Sequence, residues 1–464
     1  MISWQTKFSK KTLLLAFGDV ILFYAALFWT LFIRYHGVAP TPRIARLHLT
    51  AFTPVFLFWL LAFGASGFYE LRSFKRLKVF FYRLARTMAI NVVIAVAVFY
   101  LFPLTIEPRR NLAITAGLAM GLIFLWRYVF AYITVSALSS RVVLVGEHKE
   151  HIALARYLYQ NPHLAHHPAA LISAGTRPPA LIPEIPHYEL GAENLTPQIK
   201  KMGADIIVIS RGAKEDRALV NMLYQLIPAG IAVVEFPAFH EMLTGKIPLS
   251  LIEEMWFLEN LIGIRKPPYE FFKRLLDVTL AAITLVGGAL LFPMIAFAIK
   301  FDSPGAILFR QKRIGRHGRV FELIKFRSMV ENAQSFGGLK DNSNGDGGDP
   351  RCTRVGTFLR KSYLDELPQI INIFRGEMSF IGPRPERPEY VEELKQRIPF
   401  YEMRLLATPG ITGWAQVNMK NDASVEDARQ KMQYDIYYIK NRSFVLDLLI
   451  ALKTVATILQ RQGR

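Results

Sequence analysis

The sequence predicts a membrane protein of mixed α and α/β structure with three parts: a four-helix transmembrane bundle, a Rossmann-like α/β module, and a mainly α-helical domain that contains a β-hairpin and a further membrane helix. Three observations predict it. Four apolar segments open the chain, apolar strands then alternate with helices, and a fifth apolar segment precedes a hairpin pattern. We expect the parts to span residues 1–138, 139–262 and 263–464.

The composition narrows the class of partner. The 464 residues carry a formal net charge of +19, and 52% of them are hydrophobic. So basic a chain predicts an anionic partner, which leaves phospholipid, nucleic acid and phosphorylated substrates open. The single cysteine, Cys352, excludes an internal disulfide framework and a multi-cysteine metal site. His163, His166 and His167 lie near two prolines, where we expect a solvated loop rather than a metal site.

Each of the first four apolar segments approaches the roughly 20 residues needed to cross a bilayer. They lie at residues 12–33, 49–68, 88–103 and 112–135. Basic residues are concentrated before the first segment and between the second and third. The positive-inside rule therefore places the N-terminus and residue 140 in the cytoplasm. Asp19 falls within the first span, where a packing or interfacial role is favoured over a functional one.

The middle of the chain has the pattern of a parallel sheet of Rossmann type. Residues 141–146, 204–209 and 231–236 are continuous apolar strands, and helical patterns follow the first two. Gly146, however, is followed by charged residues and histidine instead of the glycine fingerprint. A dinucleotide pyrophosphate needs close backbone approach there, so a structural or regulatory module is favoured over a bound dinucleotide.

The fifth apolar segment, residues 275–299, is long enough to span a bilayer, but Gly287, Gly288 and Pro293 interrupt it. A simple span would place the following domain outside the cell, opposite the α/β module. A helix that enters the membrane, bends at Pro293 and leaves on the same side fits both observations. A kinked spanning helix is the alternative.

The last domain begins with a predicted β-hairpin, with strands over residues 306–312 and 320–326. Lys325 and Arg327 stand at alternate positions near its end and so share one strand face. Residues 334–350, rich in Gly, Asn and Asp, predict a mobile loop. The apolar tail from Phe444 predicts an amphipathic helix at the membrane interface.

Two adjacent carboxylates, Asp365 and Glu366, precede an apolar helical pattern, and Pro368 suits a first helical turn. Near a helix N-terminus, unpaired N–H groups and the helix dipole favour an anion such as phosphate. Arg360 and Arg384 flank the pair. Acidic residues are also simply good first-turn residues, so the surroundings must decide between the two interpretations.

Paired carboxylates, arginines and a lysine beside a membrane helix suit transfer of a phosphate-bearing group to or from a lipid. Carboxylates can bind Mg²⁺ or attack phosphorus to form an acyl phosphate. Cations neutralise charge on the transferring phosphoryl group. A basic surface that docks on anionic lipid would explain the charge, but neither the paired acids nor the rigid Gly-Pro-Arg-Pro segment.

Motifs across residues 270–460 resemble those of the large monotopic phosphoglycosyl transferases, the polyprenyl-phosphate glycosyl-1-phosphate transferases that start exopolysaccharide and O-antigen assembly in bacteria. In chain order they are residues 309–311 (FRQ), 313–315 (RIG), 325–329 (KFRSM), 349–351 (DPR), Arg360, 364–369 (LDELPQ), 376–385 (GEMSFIGPRP) and 409–418 (PGITGWAQVN). The four spans and the Rossmann-like module match the long form of the family more loosely, and residues 423–428 look like the exopolysaccharide subgroup.

The resemblance implies a ping-pong reaction. Asp365 would attack the β-phosphorus of a UDP-sugar, most often UDP-glucose or UDP-galactose, and UMP would leave. Mg²⁺ would bridge the diphosphate and bind Asp365. Polyprenyl phosphate would then take the sugar phosphate from the aspartate. Glu366 would assist as an acid/base or positioning group. Lys325, Arg360 and Arg384 match phosphate-contacting positions. The bent helix would be re-entrant, which implies a catalytic domain on the cytoplasmic face of the bacterial inner membrane, in contact with its lipids.

Two positions depart from the family pattern. Phe292 stands where small members have serine before the bend proline, and Thr408 stands where Arg or Lys is usual, which puts donor affinity in doubt. No nucleic-acid partner is expected, and a homodimer and the identity of the sugar stay open.

Two alternative functions compete with this one. A membrane-bound sugar-nucleotide dehydratase is disfavoured by the missing glycine fingerprint and the missing Tyr-x-x-x-Lys pair. A non-catalytic scaffold is disfavoured by the intact acidic pair.

Overall fold

The computed structural model shows two compact units, residues 1–244 and 245–464. The structure describes residues 10–66, 68–69, 77–101, 109–136, 139–146, 149–164, 166–173, 177–190, 195–210, 216–261, 266–289, 291–330, 351–419 and 424–459. The predicted mobile loop at 334–350 lies outside these ranges. So do Lys7, Arg72, Lys75 and Arg76, four of the basic residues from which the membrane orientation was predicted.

Four long helices open the N-terminal unit. They are α1 (Lys10–Arg34), α2 (Pro42–Ala65), α3 (Leu77–Leu101) and α4 (Arg109–Ser136). Each contains a stretch of 20 to 23 residues that is long and apolar enough to cross a membrane. The prediction of four apolar helices long enough to span a membrane is therefore confirmed.

Aromatic side chains fill the core of the bundle. Phe23 and Phe56 stack with ring centroids 5.3 Å apart. Asp19 is fully buried and forms an ion pair with Arg127 of α4, whose guanidinium also donates a 2.7 Å hydrogen bond to the carbonyl of Phe68. The ion pair joins α1 to α4, which agrees with the packing role expected for Asp19.

Five parallel strands form the sheet of the N-terminal unit, in the order β3-β2-β1-β4-β5. The strands are β1 (Ser140–Val145), β2 (His166–Ser173), β3 (His187–Glu189), β4 (Ile206–Ile209) and β5 (Ala232–Glu235). The accompanying helices are α5 (Lys149–Gln160), α6 (Leu195–Lys201), α7 (Arg217–Leu226) and α8 (Phe236–Thr244). The strand order is that of a Rossmann-type sheet, so the predicted parallel α/β region is confirmed.

The prediction of a solvated loop at His166 and His167 is wrong, because both residues begin β2. The ring of His166 lies 5.5 Å from that of Phe239. The strand continues into buried apolar residues from Ala170 onward. Two histidines and Pro168 at its start hid the apolar run from a pattern-based prediction.

The side chain of His151 fills the space beside Gly146, just after β1. A Cβ at Gly146 would lie 2.7 Å from Nε2 of His151, a residue with no exposed surface. The His151 ring packs against Phe236, with centroids 4.3 Å apart. A pyrophosphate would need this space. The geometry therefore agrees with a structural or regulatory module.

The C-terminal unit begins with α9 (Glu254–Leu261), α10 (Pro267–Gly288) and α11 (Leu291–Asp302). The last two are bent by 62° at a break after Gly288, and they are together apolar enough for a broken span or a re-entrant loop. Pro293 lies just after the break, in the first turn of α11, where its missing N–H leaves no helical bond unmade.

The unit boundary at Gly245 comes before the predicted domain boundary at residue 262, because the intervening residues pack into the C-terminal core. Ile247, Trp256 and Phe257 are buried there together with Tyr438. The three-part division stays a prediction, while residues 247–257 contribute to the core that supports the last unit.

The predicted hairpin is present as β6 (Leu308–Ile314) and β7 (Val320–Phe326), paired antiparallel. The remaining elements are α12 (Arg354–Lys361), the 3-10 turn Leu364–Gln369, α13 (Ile370–Arg375), β8 (Ser379–Ile381), α14 (Pro388–Arg397), the 3-10 turn Tyr401–Leu406, β9 (Gly410–Thr412), α15 (Trp414–Asn418), α16 (Val425–Asn441) and α17 (Phe444–Leu459). The amphipathic tail is thus helical over the predicted range. Asp447 on its buried side accepts hydrogen bonds from Tyr269 and Lys273 of α10.

Candidate active site

Asp365 and Glu366 lie in the 3-10 turn Leu364–Gln369, which runs directly into α13. Ile370 and Ile373 anchor α13 in a core that includes side chains of α10 and β7. The two carboxylates therefore stand at the start of a helical segment, where the apolar pattern predicted them. Asp365 is buried, with 9% of its surface exposed.

Lys325 of β7 reaches the acidic pair. Its Nζ donates a 2.8 Å hydrogen bond to Oε1 of Glu366. The neighbouring Phe326 is buried and holds the strand in place. Arg327, predicted on the same strand face, lies beyond the end of β7 and donates to the carbonyls of Ser303 and Pro304 instead. Its charge therefore fixes the chain after α11.

Arg384 donates a 3.2 Å hydrogen bond to the same Glu366 oxygen. The loop that carries it follows β8, which pairs in parallel with β9. A Cβ at Gly382 would lie 2.2 Å from the carbonyl oxygen of Thr408, and one at Gly410 would lie 2.1 Å from the nitrogen of Gly382. The glycines let the two backbones touch, so the loop has little freedom to shift.

Arg360 stands in the last turn of α12 and donates to Sγ of Cys352 over 3.1 Å. Its positive charge is one of those that act on the Asp365 carboxylate. The structure thus brings Lys325 and Arg384 into contact with Glu366, and places Arg360 within electrostatic range of Asp365.

The surroundings shift the pKa values of Asp365 and Lys325 in opposite directions. Burial raises the pKa of Asp365 above its ordinary value; Lys325 opposes the rise, Glu366 adds to it, and both arginines oppose it. Burial lowers the pKa of Lys325, against the attraction of Glu366 and with the help of Arg384. The Asp365 carboxylate is therefore more basic than that of an exposed aspartate. Three cations around two carboxylates suit a diphosphate.

The acidic pair fits a metal ion that shares its ligands with a substrate. Within the described residues, no group of three or more His, Cys, Asp or Glu side chains could hold a metal by itself. Mg²⁺ is commonly bound by one or two carboxylates plus substrate phosphates and water. Two cations already occupy Oε1 of Glu366. Asp365 is therefore the better placed of the two acids to supply a metal ligand.

Asn372 is a site-supporting residue that the sequence pattern did not single out. It is fully buried; its Oδ1 accepts from the backbone N–H of Ile324, and its Nδ2 donates to Glu322 O and to Glu377 Oε2, both at 2.7 Å. One side chain thus ties β7, which carries Lys325, to α13, which follows the acidic pair. The available signal was a lone polar residue within the apolar run 370–374.

The sequence matches the model of a protein family described as bacterial sugar transferase over residues 268–461. The UDP-N-acetylgalactosamine-undecaprenyl-phosphate N-acetylgalactosaminephosphotransferase of Aeromonas hydrophila is 41% identical over 242 residues, which is 51% of this chain and 55% of that protein. The UDP-glucose:undecaprenyl-phosphate glucose-1-phosphate transferase of Caulobacter vibrioides is 43% identical over 189 residues, 40% of this chain and 69% of that protein.

The exopolysaccharide production protein ExoY of Sinorhizobium fredii is 35% identical over 221 residues, which is 45% of this chain and 94% of the relative. The four long apolar helices and the matches to membrane-associated transferases define the class as a membrane protein. The chain belongs to the bacterial sugar transferase family. The chain spans about half the length of the Aeromonas relative, and the part that matches the family model lies in the C-terminal half of the chain.

Proposed function

We propose that the protein transfers a hexose 1-phosphate from a UDP-sugar to polyprenyl phosphate, as the first membrane step of exopolysaccharide or O-antigen synthesis. The observation that carries the proposal is a buried Asp365 carboxylate beside Glu366, whose own charge is held by Lys325 and Arg384. The names of the relatives, which specify UDP-sugar donors and undecaprenyl phosphate, support these substrate classes.

The reaction proceeds in two displacements at one phosphorus atom. A carboxylate oxygen of Asp365 attacks the β-phosphorus of the UDP-sugar, and the bond from that phosphorus to the bridging oxygen breaks. UMP leaves with the bridging oxygen and its electron pair. A phosphate oxygen of polyprenyl phosphate then attacks the same phosphorus, and the aspartate carboxylate is released. The products are UMP and a sugar linked to the lipid through a diphosphate.

Lys325, Arg360 and Arg384 stabilise the charge that develops on the phosphoryl oxygens. Bound Mg²⁺, held by Asp365 and the diphosphate, would neutralise charge on the departing UMP. The acceptor is already an anion, so its attack needs no general base. Glu366 forms ion pairs with Lys325 and Arg384 and is therefore assigned the positioning of these two cations.

We also propose that α10 and α11 form a re-entrant membrane segment, with the catalytic unit on the cytoplasmic face of the inner membrane. The 62° bend fits a re-entrant loop as well as a broken span, and a row of exposed apolar side chains supports contact of the segment with lipid. On α10 the row includes Phe271, Leu275 and Ile283. Arg274 of α10 donates to the carbonyls of Ile373 and Phe374, so the segment is fastened to the C-terminal end of α13.

The test incubates membranes containing the full chain with Mg²⁺, undecaprenyl phosphate, and UDP-glucose, UDP-galactose or UDP-N-acetylgalactosamine labelled in the β-phosphate. We expect UMP and labelled lipid with at least one donor. Without the acceptor, we expect UMP in amounts stoichiometric with the protein, and labelled protein. If no donor yields either product, the proposed function is wrong. A labelled adduct that persists in Asp365→Asn would contradict the assigned nucleophile.

A further inference from the structure

A cluster of buried charges lies behind the loop that carries Arg384. Arg404 is 3% exposed and forms a 2.9 Å ion pair with Asp435, which is 1% exposed. Lys431 forms a 2.5 Å ion pair with Glu386. Burial alone would raise the pKa of Glu386, but the positive charges of Lys431 and Arg404 lower it well below its ordinary range. Burying charged side chains costs free energy of desolvation, which ion pairing only partly offsets. We therefore look to this cluster for fixed geometry rather than for added stability.

The cluster and its neighbours hold the loop by three successive carbonyl groups. Nη2 of Arg404 donates to the carbonyl of Arg384 over 2.9 Å. Nη1 of Arg313 donates to the carbonyl of Pro385 over 3.1 Å, and the backbone N–H of Ile314 donates to the carbonyl of Glu386 over 2.9 Å. Pro383 and Pro385 have no N–H to donate. Much of the backbone anchoring of this segment must therefore come through its carbonyls.

The side chain of Arg384 points to the proposed reaction site, where its guanidinium lies 3.2 Å from Oε1 of Glu366. Its backbone and its side chain are thus fixed by two different sets of groups. Productive geometry at such a site tolerates errors of only about 0.5 Å. A donor on the Arg384 carbonyl therefore controls where the guanidinium can reach.

We propose that Arg404 is a positioning residue for this reaction, which acts through the Arg384 carbonyl and touches no substrate. The inference rests on the proposed function, because it assumes that Arg384 meets the diphosphate. Tyr401 accepts a hydrogen bond from the other end of the Arg404 guanidinium, so Tyr401→Phe provides a matched control that leaves the Arg384 contact in place.

The experiment is a double-mutant cycle on UMP release without acceptor, using the full chain. Arg404→Lys keeps the charge but not the planar set of donors, and we expect it to slow UMP release by roughly 10- to 100-fold. In an Arg384→Ala background, the same substitution should change the rate by less than about twofold. Tyr401→Phe should stay within about threefold of the parent rate. An equal loss from Arg404→Lys in both backgrounds overturns the proposal.

If Arg404→Lys does not fold, Arg313→Gln takes its place in the same cycle, because Arg313 donates to the adjacent carbonyl and is less deeply buried. If the parent protein releases no UMP with any donor, the proposed function has failed; calorimetric binding of UDP to the same variants then decides the positioning proposal. Weaker UDP binding on Arg404→Lys only when Arg384 is present supports it. Unchanged binding overturns it.

Discussion

The ammonium of Lys325 lies 2.8 Å from Oε1 of Glu366, so a strong ion pair neutralises the carboxylate next to the proposed nucleophile. Arg384 reinforces the same oxygen from 3.2 Å. Asp365, one residue earlier, is buried and has a raised pKa. Two adjacent acids thus have different environments, and different environments indicate different roles.

Substitution of the two acids should separate these roles. We expect Asp365→Asn to abolish the labelled adduct and to reduce turnover by roughly 10³-fold or more, because it removes the attacking oxygen anion. Glu366→Gln should reduce turnover by about 100-fold, because Lys325 and Arg384 lose their shared anchor. The adduct should still form in Glu366→Gln. An adduct in Asp365→Asn together with none in Glu366→Gln would reverse the assignment.

The pH profile of UMP release should be bell-shaped. Asp365 must be ionised to attack, so activity falls as the pH drops through its raised pKa; this acid limb should lie above the value of about 4 that is typical of an exposed aspartate. Lys325 must be charged, so activity falls again as the pH rises through its lowered pKa.

Lys325→Met should move the acid limb to higher pH, because it removes a charge that lowers the pKa of Asp365, and it should remove the alkaline limb. Lys312→Met, an exposed substitution on the same hairpin, is the matched control and should leave both limbs in place. Identical profiles for Lys325→Met and the parent would exclude an electrostatic role for Lys325.

Asn372→Ala should destabilise the C-terminal unit by about 2 kcal/mol, because the buried N–H of Ile324 and the carbonyl of Glu322 lose their partner. Denaturant unfolding in detergent measures the change. The ion pair of Glu392 with Lys395 is at the surface, so Glu392→Ala should change stability by less than about 0.5 kcal/mol. Equal effects of the two substitutions would show that Asn372 does not join the hairpin to α13.

The ion pair between Asp19 and Arg127 should behave as a buried pair within the bundle. Asp19→Leu or Arg127→Met alone leaves one buried charge without its partner and should cost about 3–5 kcal/mol. The double variant Asp19→Leu/Arg127→Met should be more stable than either single variant, as judged by thermal unfolding in detergent. Additive losses would contradict direct coupling of the two side chains.

The re-entrant placement of α10 and α11 predicts from which side of the membrane an added reagent can label each loop. In a Cys352→Ser background, Ala306→Cys after α11 and Lys149→Cys in α5 should react with an impermeant reagent from the same side. Val38→Cys, between α1 and α2, should react from the other side. If Ala306→Cys reacts together with Val38→Cys, the two helices form a kinked span.

The sequence allowed the elements with continuous apolar runs to be predicted. The four long helices, β1, β4, β5, the hairpin and α17 all follow their patterns. β2 escaped because it begins with His166 and His167. The cations predicted around the acidic pair do lie near it. Lys325 and Arg384 contact Glu366, and Arg360 acts on Asp365 through its charge. For Asn372 the only signal was its position as a lone polar residue in an apolar run. Arg404 could not be predicted, because its importance lies in a contact with a backbone group distant in sequence.

The attachment of Asn372 to both the hairpin and α13 bears on how the choice of sugar can evolve. The groups proposed to face the diphosphate are fastened to one another, and the touching backbones at Gly382 and Gly410 extend the same block. Relatives are named for transfer of glucose, galactose or N-acetylgalactosamine phosphates, which differ only beyond the diphosphate. A library that seeks a new donor should therefore spare this block and diversify its surroundings, where mutations can accumulate without misaligning the phosphate chemistry.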